Sequence, residues 1–406
     1  MISYAEALRL ILDSIRPSTG TESVPLILSL GRTLASAITA NEDYPAEANS
    51  AMDGFAVRAA DTAGATKENP VRLRIIGDAP AGAPCPIPVE PSEAVAIMTG
   101  GILPVGADAV VQVEVTRREG DDVLIFRETA VGTAIRPAGE DIAKGEEILH
   151  AGRKITPADI GVLATTGHAG VPVRIKPKVA ILSTGNELVE PAHRPPLGHL
   201  RNSSGPALIA AVNAAGGEPI DLGIVGDERE ELEGAIETGL QYDLLITTGG
   251  VSAGTFDYVQ HLLPEAGVEV AFHGVAIRPG KPVMFGTRDD GELRTWVFGL
   301  PGNPVSSLVT FEIFVRPLLR GLLGQEPTTN TFSARLRGTI RKSDDKRHFQ
   351  RGLLRVAEDG LWEVEPLQNQ SSGAMSSLSR GNGLIVVPED VREIGDGEMV
   401  AVIWGN

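Results

Sequence analysis

The chain has 406 residues, which at roughly 100–200 residues per domain implies about two to four domains, each with a core of its own. Its 53 acidic residues against 36 lysines and arginines give a formal charge of −17; this argues against a general nucleic-acid or anionic-membrane surface and makes any anion site a local feature. A single cysteine, Cys85, excludes an internal disulfide and a cysteine-rich metal site, and no apolar run approaches the ~20 residues of a membrane span, so a soluble cytoplasmic protein is expected.

From the start, Tyr4 to Ile15 places Ala7, Leu8, Ile11 and Ile15 on one helical face and reads as an amphipathic helix. VPLILSLGRTLASAI from Val24 reads as a second helix, loosened by Pro25 and Gly31. From Asn41 to about Gly145, short β-like runs separated by turn residues indicate a β-rich insert, with the proline-rich PAGAPCPIPVEP as exposed loop. TPADIGVLATTGH then offers Thr156 as N-cap, proline at the first helical position, Asp159 three residues on and glycine at the end, which predicts a short helix. Residues 1–40 and 146–175 are expected to form a small helical linker domain, from which the insert 41–145 projects.

Between residues 176 and 326 the pattern alternates: strands VAILS, EPIDLGIV, LLIT, VEVAFHGV and TWVFGL, with helices between them and a last helix from about Pro304 to Leu323, kinked at Pro317. Near-continuous apolar strands alternating with helices predict a doubly wound parallel sheet covered on both faces. In such sheets ligands bind beyond the carboxyl ends of the strands. Four polar turns fall there: Ser183-Thr184-Gly185-Asn186-Glu187, Gly226-Asp227, Thr248-Gly249-Gly250-Val251-Ser252 and Pro301-Gly302-Asn303-Pro304. Taken alone, Gly249 to Asp257 is either a plain turn or a phosphate cradle at a helix start. The absence of GxGxxG after the first strand, and of GxxxxGK[ST], disfavours ordinary dinucleotide binding and a Walker nucleotide triphosphatase. After Pro327 the texture returns to β, which predicts a small C-terminal barrel or sandwich over 327–406.

If Glu187, Asp227 and Asp257 share one edge, each ionised pair at about 4 Å repels by roughly 4 kcal/mol at an effective dielectric near 20. A hard cation such as Mg²⁺, held by carboxylates and a substrate phosphate, would relieve this; the alternative is that Asp227 and Asp257 only cap their helices. Arg278 and Lys281, three residues apart around Pro279-Gly280, suit an oxyanion or a surface turn. Arg347, His348 and Arg351 add positive charge, but RKSDDKRHFQR equally fits a solvated loop. No serine has a histidine at a readable spacing, so positioning and electrostatics are favoured over covalent catalysis.

In combination, NSAMDGFAVRAAD from Asn49, AIMTGGILPVGADAVVQVE from Ala96, RPAGEDI from Arg136, STGNEL from Ser183, TTGGVSAGTFDYV from Thr247, RPGKPVMFG from Arg278 and LPGNPVSS from Leu300 resemble the molybdopterin molybdenumtransferases: the MoeA-type proteins and the E domain of gephyrin. The resemblance covers essentially the whole chain. It implies a homodimer of four-domain subunits that inserts molybdenum from molybdate into adenylylated molybdopterin, with Mg²⁺, releasing AMP and molybdenum cofactor. By motif it places functional acids at Asp53, Glu187, Asp227 and Asp257, the last three as metal ligands. Substrate contacts fall at Thr99, Arg136, Asp141, Thr184, Gly185, Gly249, Gly250, Ser252, Pro301, Gly302 and Asn303. Molybdate is expected near Arg278, Lys281, Pro282, Arg351 and Ser372. The upstream molybdopterin adenylyltransferase is a candidate partner. The chain departs from the family in FHGVAI, where many relatives carry a lysine; that cation is absent or replaced by His273, and Arg278 stands where lysine is common. A CinA-like nucleotide pyrophosphatase and a non-catalytic gephyrin-like scaffold are the competing readings.

Overall fold

The computed structural model describes residues 1–16, 20–250, 258–291, 293–329 and 331–404. Contacts divide the chain into two units, Met1–Glu22 with Gly31–Ala35 and Arg174–Asn406, and Ser23–Leu30 with Ser36–Val173. Among the described residues no helix is long and apolar enough to cross a membrane.

The larger unit begins with helix α1 (Tyr4–Asp13), capped by the Ser3 side chain and burying Tyr4, Ala7 and Ile11. Strands β1 (Lys178–Thr184), β2 (Glu218–Val225), β3 (Leu244–Thr248), β4 (Glu269–His273), β5 (Ile277–Arg278), β6 (Met284–Asp289) and β7 (Arg294–Leu300) follow. All but β5 form one sheet in the order β2-β1-β3-β7-β6-β4. The strands β2, β1, β3 and β7 are parallel, with Ile181 opposite Ile246 and Ile246 opposite Phe298. Strand β6, not anticipated from the sequence, runs antiparallel to both β7 and β4. It leads into β7 through a hairpin turn, with Asp289 opposite Arg294, so the sheet is mixed at that side.

The near-continuous apolar strands divide their side chains between two helical layers, as the two-residue period of a strand requires. Val179, Ile181 and Ile246 meet Leu208 and Val212 of α2 (Ser204–Ala214) and Val305 and Val309. On the opposite face Ala180, Leu182 and Leu245 meet Leu232 and Ile236 of α3 (Arg229–Gly239) and Leu262 and Leu263 of α4 (Val259–Glu265). At about 1.5–3 kcal/mol per fully buried large aliphatic, this double burial sets the register of the sheet. The last helical stretch is α5 (Pro304–Thr310), a π-helical turn Phe311–Val315, and α6 (Arg316–Leu322). Pro317 therefore lies in the first turn of α6, where its missing N–H removes little, and the wide π turn replaces the expected kink.

The C-terminal strands β8 (Thr331–Leu336), β9 (Arg347–Val356), β10 (Trp362–Pro366), β11 (Gly383–Val387) and β12 (Met399–Trp404) follow the order β9-β10-β8-β12-β11. Pairing of β9 with β11, His348 opposite Val387, closes the barrel and removes its open edges. β5 joins it along β9, with Arg278 opposite His348. Tyr4 ties α1 to this region, its ring 5.3 Å from that of Phe349 and 5.6 Å from that of Phe314.

The smaller unit holds a six-stranded sheet in which Gly54–Val57 lies between Ala109–Gln112 and Glu93–Ile97. Phe55, Val57, Leu73, Val111 and Ile125 form its core. The helix Pro157–Thr165 has the expected cap: Thr156 and Asp159 bond each other's backbone N–H. The second N-terminal helix expected from Val24 does not form. Only a 3-10 turn, Leu26–Leu28, is present, because Pro25 is held extended at ψ 142° and Gly31 is left-handed at φ 73°.

Candidate functional site

Three strand ends and the turn after β2 open on one cleft of about 530 Å³ in the larger unit. Thr184 closes β1 and donates its hydroxyl to the Thr248 carbonyl of β3 at 3.1 Å. The Gly249 N–H bonds the Leu300 carbonyl of β7 at 3.1 Å, so the three turns are tied edge to edge. Gly185, Gly249 and Gly250 all take left-handed φ values here. Gly249 has φ 96°, and a Cβ would lie 2.8 Å from the Thr184 carbonyl; Gly185 has φ 140°, and a Cβ would meet the Glu187 carboxylate. Gly250, Pro301, Gly302 and Asn303 complete the rim, with α5 starting directly behind.

Glu187 and Asp227 line the same cleft. Asp227 is fixed by a reciprocal pair: its carboxylate accepts from the Asn186 N–H at 3.2 Å, and its own N–H bonds the Asn186 side-chain oxygen at 3.1 Å. Asp257 and Ser252 lie outside the described residues. Among the described residues no group of three or more His, Cys, Asp or Glu converges on a metal position. Two carboxylates with no sulfur or imidazole nonetheless fit Mg²⁺, which takes one or two protein carboxylates and leaves other positions to water and phosphate.

The sequence reading missed one wall of this cleft, Arg201-Asn202-Ser203-Ser204. Buried Asn202 donates to the Ser183 hydroxyl at 2.9 Å and accepts from the Gly205 N–H at 3.0 Å, anchoring the start of α2 to β1. The run of capping residues before Gly205 was the available signal.

A second cleft, of about 740 Å³, lies along the barrel and is strongly cationic. Arg278, Arg337, Arg341, Lys342, His348 and Arg351 line it. Arg351 is only 2% exposed. Its Nε donates to the Ser377 hydroxyl at 3.0 Å, and its Nη2 to the carbonyls of Ser371 at 2.9 Å and Asn369 at 3.3 Å. Among the described residues none of its partners is a carboxylate. Burial pushes its guanidinium pKa below the ordinary value. A buried cation without a counter-ion is costly, and an anion arriving at the cleft would offset that cost.

Lys342, also buried, donates to the carbonyls of Asp344, Lys346 and Glu389, which pins the loop ahead of β9. That loop carries Asp344, whose carboxylate lies 2.7 Å from His348 Nε2 and 3.8 Å from Arg278 Nη1. Burial lowers the His348 pKa, and Asp344 opposes that shift only in part. The RKSDDKRHFQR segment is therefore part of a cleft and not merely a solvated loop.

The five expected molybdate residues do not all meet. Arg278 and Arg351 share the cationic cleft; Pro282 instead lines the cleft of Glu187 and Asp227, and exposed Lys281 and Ser372 line neither. Residues 278–282 turn through Pro279 and Gly280, so successive side chains face different directions. Ser372 follows Ser371, whose carbonyl holds Arg351.

The smaller unit carries its own cluster. The Asp53 carboxylate accepts both the N–H and the hydroxyl of Thr99, each at 2.8 Å. The Thr99 N–H, then its hydroxyl, hold that carboxyl below the usual range. Arg136 pairs across two short strands with Asn49, and Asp141 donates its N–H to the Tyr44 carbonyl at 3.1 Å; both side chains are exposed.

Comparison with known proteins covers the same three stretches. Residues 2–167 match the MoeA N-terminal region (domain I and II), residues 180–321 a probable molybdopterin binding domain, and residues 333–404 the MoeA C-terminal region (domain IV). A molybdopterin molybdenumtransferase of Bacillus subtilis is 38% identical over 389 residues, 94% of this chain and 89% of that protein. Molybdopterin molybdenumtransferase 2 of Mycobacterium tuberculosis is 37% identical, with 99% of each chain covered. The crystal structure of the molybdopterin biosynthesis moeA protein from Pyrococcus horikoshii OT3 superposes with a TM-score of 0.86 at 32% identity, covering all of both chains.

Proposed function

The chain belongs to the molybdopterin molybdenumtransferase family, and from that premise we propose that it transfers molybdenum from molybdate into adenylylated molybdopterin, releasing AMP. The observation that carries this reading is the division of charge within one unit. A glycine-rimmed cleft with two carboxylates, Glu187 and the hydrogen-bonded Asp227, and a separate cationic cleft around the buried Arg351 both draw on residues 278–282.

In this reading the turns at Thr184-Gly185, Gly249-Gly250 and Pro301-Gly302-Asn303 hold the pterin and its phosphates, with the N–H groups of Gly250, Gly302 and Asn303 as the backbone donors. Glu187 and Asp227 hold Mg²⁺, with Asp257 as a proposed third ligand; when bound, the ion neutralises charge on the phosphoanhydride. Arg351 and Arg278 hold the tetrahedral oxyanion, Arg351 as the fixed donor and Arg278 as the exposed one. Lys281, Pro282 and Ser372 remain proposed molybdate residues, Asp53 a proposed catalytic acid, and Ser252, Thr99, Arg136 and Asp141 proposed substrate residues. A homodimer, the four-part division at residues 40, 145, 175 and 326, a cytoplasmic location and receipt of substrate from the molybdopterin adenylyltransferase complete the proposal.

The test is incubation of the purified chain with adenylylated molybdopterin, molybdate and Mg²⁺. AMP and molybdenum cofactor should appear together. AMP without molybdenum incorporation would favour a pyrophosphatase, and neither product would favour a scaffold.

A further inference from the structure

We propose that His348 is a proton carrier for the insertion step, oriented by Asp344, and that it removes a thiol proton and returns it to the molybdate oxygen that leaves. This rests on the function proposed above. Molybdopterin offers two thiols; insertion forms two S–Mo bonds and breaks one Mo–O bond. The departing oxygen leaves as water, carrying the two thiol protons. Molybdenum stays at the same oxidation level, so no oxidant or reductant enters, but the protons must move within the site.

Among the described residues lining the cationic cleft, His348 and Glu365 can take up a proton, and of the two His348 is the one oriented by a carboxylate. Its Nε2 lies 2.7 Å from the Asp344 carboxylate, which leaves Nδ1 as the ring nitrogen for exchange. This is the arrangement of a general base held in one tautomer by a carboxylate, which also stabilises the imidazolium while the proton is carried. Burial, with Arg278 and Lys342 adding to it, lowers the imidazole pKa and favours the neutral form against the opposing pull of Asp344. Arg278 faces it from β5, and Lys342 and Asp344 face it from the loop before β9; β11 offers only Val387 at its register. Neutrality at rest is what a base needs, and Asp344 supplies the counter-charge once the proton arrives. The Lys342 bonds to three carbonyls hold Asp344 in place for this.

A purely structural role, in which the pair only anchors the loop, predicts a different result from substitution. His348→Gln keeps a side-chain donor near Asp344 but has no titratable ring. Single-turnover molybdenum incorporation should slow by about 10²- to 10⁴-fold, and the acid-side fall of the wild-type rate should vanish. Molybdate affinity by calorimetry should stay within about twofold, well below the tenfold that marks a lost charge-assisted contact. Asp344→Asn keeps the ring and its packing, and should move the acid-side fall to lower pH. An unchanged rate and pH profile in His348→Gln overturns the proposal. If that variant loses molybdate binding through misfolding, an unmoved acid limb in Asp344→Asn overturns it instead. Wild-type protein that incorporates no molybdenum overturns the function proposed above, and this step with it.

Discussion

Buried in the barrel wall and held by one hydroxyl and two carbonyls, Arg351 carries a charge that an oxyanion would neutralise. Its guanidinium fork positions donors that a lysine would present as a single point. Arg351→Met should therefore weaken molybdate by about 1.5–3 kcal/mol, roughly ten- to a hundredfold in Kd, and abolish the rise in Tm that molybdate gives the wild type. Calorimetry and a thermal melt check this; equal affinity in the variant would remove Arg351 from the site. A second residue-scale case lies in the smaller unit, where Asp159 is 4% exposed. Burial alone would raise its carboxyl, but the Arg153 guanidinium and the Thr156 N–H and hydroxyl outweigh this and hold it below 3.8. Because the folded pKa is the lower one, its contribution is complete above about pH 4 and is lost as pH falls through the folded value. Asp159→Ala should cost about 1 kcal/mol at neutral pH and flatten the acid limb of the stability curve, measured by urea melts from pH 7 to pH 3.

At the scale of elements, the glycine turns are positioned by the strands that precede them. Gly249→Ala must either relieve φ 96° or move the Thr184 carbonyl, and both disturb the joint between β1, β3 and β7. We expect a loss of about 1–2 kcal/mol in stability with a larger loss of pterin affinity, checked by urea melts and by ligand quenching of tryptophan fluorescence. Affinity at the wild-type value would show that this turn does not touch the ligand. Much of this element was legible beforehand. The near-continuous apolar runs Val179–Leu182 and Leu244–Ile246 announced strands buried on both faces, and the capping run TPAD announced its helix. What escaped depended on distant partners. The Val24 segment has helical spacing, but one proline and one left-handed glycine prevent the helix. Strand β6 follows a turn whose direction depends on pairing with β7, which local pattern does not encode. Arg351 was named as a positive charge and, by resemblance, as a molybdate residue, yet its burial without a counter-ion, and the cationic lining it shares with Arg278, Arg337, Arg341 and Lys342, arise from closure of the barrel.

For the molecule as a whole, a chain of charge −17 concentrates cations in one cleft and keeps two carboxylates for another in the same unit. This separation predicts independent responses. Chelation of Mg²⁺ should stop AMP release while leaving molybdate binding at the cationic cleft unchanged; equal loss of both would join the two clefts into one metal-dependent site. Raising ionic strength should weaken molybdate in the exposed part of the cleft, near Arg278, more than at buried Arg351, since screening acts chiefly on solvated charge.

The most direct test of the two-cleft account is anomalous diffraction at the molybdenum edge from crystals of this protein soaked in molybdate. The account predicts a molybdenum peak in the cationic cleft, its oxygens within hydrogen-bonding distance of Arg351 and Arg278. A peak confined to the cleft of Glu187 and Asp227, with the Arg351 cleft empty, would contradict it.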